Sequence, residues 1–159
     1  MLRKRMQKKI SKFSYYSVCF AFFVFFTLYC SDLIVNQLMQ GFTYSNEIFS
    51  LKYVENTGAA FSILKDAREI IIIVSVVAIC GIFSYIMRHI STISMKSIFF
   101  LSMLSAGIGG NLHERIALGF VRDYVQLNFV NFPVFNISDI LINVSVIAIV
   151  AIILLKKNL

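Results

Sequence analysis

The chain has 159 residues, 58% of them hydrophobic, a mean hydropathy of +0.81, one proline and no tryptophan, which excludes an ordinary water-soluble domain. Its formal charge of +7 is no nucleic-acid signal, because ten of the fifteen cations flank hydrophobic runs. No repeat, low-complexity tract or proline-rich linker divides it, so residues 1–159 read as a single membrane-embedded domain.

A bilayer span needs about 20 apolar residues. On that measure the chain reads as an α-helical integral membrane protein with four transmembrane helices, at 13–39, 70–87, 97–112 and 137–155. Arg3, Lys4, Arg5, Lys8, Lys9 and Lys12 precede the first. This start resembles a secretory signal, but Tyr29 stands where cleavage before Cys30 needs a small residue, and apolar residues continue past Asp32. An uncleaved anchor is expected. Arg88 and Lys96 bracket the connector between the second and third runs, and Lys156 and Lys157 follow the fourth. The positive-inside rule makes the side holding these cations cytoplasmic. Both termini are then inside, and the connectors at 40–69 and 113–136 face outward.

The first outward connector is too long for a structureless loop. Its partial alternation of aromatic and β-branched residues over 41–55 suits short strands or a lid. Tyr44, Phe49, Tyr53 and Phe61 suit the lipid headgroup level. Cys19, Cys30 and Cys80 fall in spans with no pairing pattern and read as packing residues. Ala106, Gly107, Gly109 and Gly110 offer the small surface that lets helix backbones approach closely.

With this topology, polar residues from three helices arrive at one depth. At 1.5 Å per residue, Asp32 lies about 28 Å along the first helix and Asn111 about 22 Å along the third, both near the outer boundary. Asn136, Ser138 and Asp139 occupy the outermost turn of the fourth, and Asn56, Arg115 and Asp123 belong to the outward connectors. A carboxylate at a membrane boundary is costly and points to function. Two close together share a proton, so that one acts as base on a water and the other as acid. Helix capping is the rival account of Asp139, three residues after Asn136. Asp32 read alone is an interfacial residue, Asn111 and Asn136 are caps, and Arg115 is a headgroup anchor.

Other chemistries fit less well. Metal hydrolysis needs three or more ligands, and the only histidines, His89 and His113, belong to opposite ends of the bundle. No G-x-S-x-G, P-loop or G-x-G-x-x-G stands in the chain. A proton-coupled transporter is the serious alternative, though its acids belong near the midplane.

The motifs resemble those of one family. Asn56-Thr57-Gly58-Ala59-Ala60-Phe61-Ser62 looks like the N-x-G-A-A-F-S signature of the lipoprotein signal peptidases (signal peptidase II). Gly107, Gly110-Asn111-Leu112 and Arg115 resemble their G-x-x-G-N-L-x-D-R segment, Val121-Arg122-Asp123-Tyr124 the V-V-D-F segment, and Phe135-Asn136-Ile137-Ser138-Asp139 the F-N-x-A-D segment. The resemblance implies an aspartic endopeptidase of the bacterial cytoplasmic (inner) membrane that cuts diacylglyceryl-modified prolipoproteins just before the lipidated cysteine, at the outer face. It implies Asp123 and Asp139 as the catalytic pair, with Asp32, Asn56, Gly107, Asn111, Arg115 and Asn136 in support. It further implies a small extracytoplasmic β-rich cradle, a short interfacial helix, no cofactor, and inhibition by cyclic peptides of the globomycin type. Lipids are expected partners and nucleic acids are not. Four residues depart from the pattern: Asn36 replaces a lysine, Glu114 an aspartate, Ser138 an alanine, and Arg122 an apolar residue that can either depress the Asp123 pKa or point to solvent.

Overall fold

The computed structural model describes residues 2–58 and 67–155. In chain order they form α1 (Leu2–Met39), β1 (Tyr44–Ser45), β2 (Phe49–Asn56), α2 (Arg68–His89), α3 (Met95–Ala117), β3 (Val121–Leu127) and α4 (Ile137–Leu154). The basic N-terminal stretch is thus helical and continuous with the first hydrophobic run. α3 reaches further than its apolar run and carries His113, Glu114 and Arg115, which places Arg115 on a helix rather than in a connector. Phe61, the last four residues of the 56–62 motif, and Lys156 and Lys157 lie outside the described residues. The whole of 59–66, between β2 and α2 in the connector for which an interfacial helix was expected, lies outside them too.

Among the described residues, α1, α2 and α4 are long and apolar enough to cross a membrane. Their outward faces carry large exposed apolar side chains, such as Phe22 and Phe25 on α1, Ile73 and Val77 on α2, and Ile147 and Val150 on α4. Apolar surface on this scale marks contact with lipid. α3 is different. It packs against each of the other three helices, and it buries Ser97, Ser102, Ser105, Ala106, Gly107 and Gly110. A helix walled in by protein need not be uniformly apolar, which explains why its hydrophobic run is the shortest.

The interhelix contacts depend on small residues. A Cβ added at Gly107 would lie 2.7 Å from the Ser138 carbonyl and 2.8 Å from Ile142 Cγ1, and one at Gly110 would lie 2.5 Å from Ser138 Oγ and 2.8 Å from Thr27 Oγ1. α4 and α1 therefore both press onto the glycine face of α3. At the other end, Tyr16, Ile86, Ile90, Ile93, Ile98 and Leu101 form a buried apolar cluster. Lys12 is buried there too, and donates to the Ile93 carbonyl at 2.6 Å.

The expected short strands form a three-stranded antiparallel sheet in the order β1-β2-β3. Asn46 turns the first hairpin by accepting from the Ile48 and Phe49 amides at 2.8 and 2.7 Å. Tyr44 packs on Phe49 there, with ring centroids 5.2 Å apart. β3 follows α3 through Gly119, whose φ of +92° is open to glycine at little cost. The β2–β3 register slips between Leu51↔Val125 and Val54↔Asp123, one extra residue on β2. Without that irregularity Leu51 and Val54 would face opposite ways. With it, Asn56 lies on the same face as Asp123.

Gly107→Ala is expected to lower stability by about 1–3 kcal/mol, because a backbone carbonyl cannot move aside for the new methyl group. Gly109→Ala, whose nearest neighbours would be 3.6 Å away, should be nearly neutral. Thermal midpoints of the two variants in detergent check the contrast.

Candidate active site

Asn136 is the hinge of the site. It is the N-cap of α4, where its side chain accepts from the Asp139 amide at 3.0 Å while the Asp139 carboxylate accepts from the Asn136 amide at 3.1 Å. This reciprocal capping box fixes the Asp139 rotamer. The Asn136 side-chain amide then donates to Asp123 Oδ1 at 2.9 Å and to Asn111 Oδ1 at 3.1 Å. Asn111 in turn donates to Asp139 Oδ1 at 2.8 Å. Each carboxylate is therefore held by Asn136 and by a second amide. For Asp123 the second is Asn56, which donates to Oδ2 at 2.9 Å.

Capping and function are not rivals at Asp139, since one oxygen caps the helix while the other takes the Asn111 amide. Asp123 and Asn136 are almost fully buried, each 2% exposed. Burial and the adjacent Asp139 charge push the Asp123 carboxyl up to about 7, against the opposing pull of the Asn56 and Asn136 donors and the Arg115 charge. An unperturbed aspartate titrates near 3.8. The folded chain thus binds the extra proton between these values, and this group's contribution to stability declines as pH rises through that window.

Arg115, 7% exposed, donates to the Gly58 carbonyl at 2.7 Å and the Asn111 carbonyl at 3.3 Å. Gly58 in turn donates to Asn56 Oδ1 at 2.9 Å. This guanidinium ties the end of β2 to α3, and its Nε has no partner among the described residues. Gly107 is a contact surface for α4 rather than a polar contributor.

Asp32 is not part of the cluster. Its carboxylate pairs with Arg122 Nη1 at 2.8 Å and is 61% exposed. Arg122 neither touches Asp123 nor points freely to solvent, because alternation along β3 turns it to the opposite face. There its Nε and Nη2 donate to Glu114 Oε1 at 2.9 and 2.7 Å, and its backbone amide donates to Glu114 Oε2 at 2.8 Å. Two of the four departures from the family pattern therefore bond to each other. The cation absent at Asn36 is supplied to Asp32 from the sheet.

Two residues inside the matched motifs, given no role there, also matter. Tyr124 is fully buried, within 3.1 Å of Ser31 Oγ, and its hydroxyl accepts from the Ile137 amide at 3.3 Å. It joins α1, β3 and the start of α4, and burial raises its pKa against the opposing pull of the Ser31 and Ile137 hydrogen bonds. Phe135 extends the sheet by bridging to Val125, which draws the segment before Asn136 against β3. A cavity of about 550 Å³ opens beside the cluster, lined by both aspartates, Asn56, Asn111, Arg115 and apolar residues of α2, α4 and the 132–135 loop. Among the described residues, no three His, Cys, Asp or Glu converge as metal ligands.

Helices of this apolarity, joined to a small sheet and holding two adjacent carboxylates beside a cavity, define a membrane-type protease of the aspartic class. A family model described as signal peptidase (SPase) II matches residues 13–155. The lipoprotein signal peptidase of Streptococcus thermophilus (strain CNRZ 1066) is 34% identical over 111 residues, 70% of this chain and 72% of that protein. That of Streptococcus pneumoniae (strain ATCC BAA-255 / R6) is 37% identical over 110 residues, 69% of this chain and 71% of that protein. A solved bacterial membrane enzyme, determined by the in meso method at 2.3 Å, superposes with a TM-score of 0.77 at 24% identity, over 89% of this chain and 87% of that one, and so shares its fold. The chain belongs to the signal peptidase II family. The transporter alternative has no support.

Arg122→Gln is expected to lower stability by about 3–5 kcal/mol, because it leaves the buried Glu114 carboxylate without its cation. Asp32→Asn, at the exposed end of the same chain of charges, should change stability by less than about 1 kcal/mol. Denaturation midpoints of the two variants measure the asymmetry.

Proposed function

We propose that Asp123 and Asp139 are the catalytic pair of an endopeptidase that removes the signal peptide from diacylglyceryl-modified prolipoproteins, cutting just before the lipidated cysteine. The observation that supports this most directly is Asn136, which bonds to both carboxylates at once. In this reading residues 1–159 are one membrane-embedded peptidase domain with four spans. α3 is the fourth, at 23 residues about 34 Å long and shielded by the others. Both termini are cytoplasmic and the site faces the outer side of the bacterial inner membrane, as the cation distribution indicates. The lipidated cysteine keeps its acyl chains in lipid, so the scissile bond and the dyad occupy the same depth.

In the reaction the pair holds one proton. The ionised carboxylate takes a proton from water as the oxygen attacks the scissile carbonyl carbon. The protonated partner gives its proton to the carbonyl oxygen, forming a neutral tetrahedral diol. Collapse breaks the C–N bond as the nitrogen is protonated, releasing the lipidated cysteine's amino group and the signal peptide's carboxyl group. Asn56, Asn111 and Asn136 orient the carboxylates, Arg115 offsets their charge, and Asp32 holds the end of α1 through Arg122. Globomycin-type cyclic peptides would occupy the cavity at the dyad. Membrane lipids are the solvent partners, and chelators leave activity unchanged.

Asp123→Asn and Asp139→Asn are each expected to abolish cleavage of a lipidated precursor in proteoliposomes while the protein still inserts. Normal turnover by either variant would overturn the assignment. The proton shared by the pair makes kcat/KM fall as pH rises through about 7, the position set by Asp123. Asn56 donates to the charged form, so Asn56→Ala should move that limb to higher pH. A pH profile of kcat/KM for the two proteins reads the shift.

A further inference from the structure

Two polar side chains lining the cavity, Asn143 and Ser75, have no part in the proposed reaction. Asn143 lies on α4 one turn beyond Asp139, exposed, in a stretch whose only other polar residue up to Leu154 is the buried Ser145. A carboxamide facing the hydrocarbon is costly unless something pairs with it. Its Nδ2 donates to the Asp139 carbonyl at 2.9 Å. A carbonyl oxygen can only accept, so this bond fixes the orientation of the amide and leaves Oδ1 as an acceptor without a donor among the described residues. Across the same cavity, Ser75 of α2 donates its hydroxyl to the Ile71 carbonyl at 2.8 Å, which leaves its oxygen lone pairs available. Asn143 lies about 9 Å along α4 and Ser75 about 10 Å along α2, counted from the start of each helix.

We propose that Asn143, with Ser75 opposite, forms a subsite that accepts backbone N–H groups of the substrate's signal peptide just upstream of the scissile bond. The inference rests on the peptidase reading. A peptide bond can be attacked only when it leaves the helix, and the residues around it then lose their intrahelical partners. In a lipid-facing cleft each unpaired N–H costs several kcal/mol, so acceptors are needed at that depth. The diacylglyceryl ester groups contain no donor and cannot satisfy Oδ1; a peptide can. The four-residue step from Asp139 to Asn143 spans about 6 Å, which is about two residues of extended chain. The N–H that pairs with Asn143 belongs about two residues before the cut.

The test uses the full-length protein in proteoliposomes and synthetic diacylglyceryl lipopeptides in which each of the last three amides before the scissile bond is replaced in turn by an ester. One replacement, about two residues upstream, should raise KM about three- to tenfold, the effect of one hydrogen bond. Asn143→Leu should raise KM on the all-amide peptide by a similar factor and make that ester peptide no worse. kcat and the pH limb should stay unchanged. Ser75→Ala, which removes only a hydroxyl group, gives the same non-additive pattern and covers the case in which Asn143→Leu does not fold. Additive losses, an unchanged KM, or a shifted pH limb would overturn the subsite, the last because Asn143 would then act through Asp139. A peptide with ether-linked chains should behave like its ester-linked parent; if Asn143→Leu erases a difference between them, the group in the subsite is lipid and the inference fails. If the unaltered protein cleaves none of these peptides, the peptidase reading itself fails.

Discussion

Everything at the site depends on the N-cap of α4. A helix start leaves backbone N–H groups without partners, and Asn136 and Asp139 satisfy this need reciprocally. Asn136 is itself drawn against β3 by the Phe135–Val125 bridge and against α3 by Asn111. An ordinary capping motif therefore becomes the joint between a membrane helix, a second helix and a sheet. Asp139 could not be held by its own helix alone in the geometry the cluster needs, and Asp123, bonded to the joint by Asn136, gains its second donor because the β2 irregularity turns Asn56 to its face.

The glycine face of α3 sets how close that joint can be. Gly107 and Gly110 allow Ser138 and Ile142 to approach to distances that no side chain would permit. Ser138, where the family pattern has alanine, adds its hydroxyl at this contact rather than pointing at the dyad, beside Thr27 and Gly110. Close helix packing in lipid relies on such small and weakly polar residues. It brings Asn111 within reach of Asp139. Packing and chemistry share residues here.

Much of this was legible in the sequence because membrane boundaries restrict where polar residues can go. The meeting of Asn111, Asn136 and Asp139 was expected from span lengths together with the charge-based orientation, which also put Asp32 at their depth, and the alternation over 41–55 suited short strands. The extent of α3 was not legible in the same way. Hydropathy measures exposure to lipid, whereas α3 is enclosed by protein and continues as helix to Ala117, beyond its apolar run. Arg115 was consequently assigned to a connector. The role of Tyr124 was not legible either, although it lies in the 121–124 motif, since that role comes from a register and from Ser31, 93 residues away. Asn143 was one of two polar residues, with Ser145, deep inside a hydrophobic run, meaningful only once the cavity it lines was known.

The four departures from the family pattern show how such a site tolerates change. Losing a cation at position 36 would leave Asp32 unpaired, yet Asp32 is mostly exposed, so that loss alone is mild. A new cation at position 122 would act far more strongly if it faced Asp123, where it would hold that carboxyl ionised. The period of the strand prevents this. Because Asp123 faces Asn56 and the start of α4, residue 122 must point to the opposite face, where it meets Asp32 of α1 and Glu114 of α3. The carboxylate at 114 accepts from the Arg122 backbone as well as from its side chain, so the pairing also fixes the strand immediately before Asp123. Arg122 thus makes up for position 36 without entering the chemistry, and strand geometry dictates which substitutions this family member can combine.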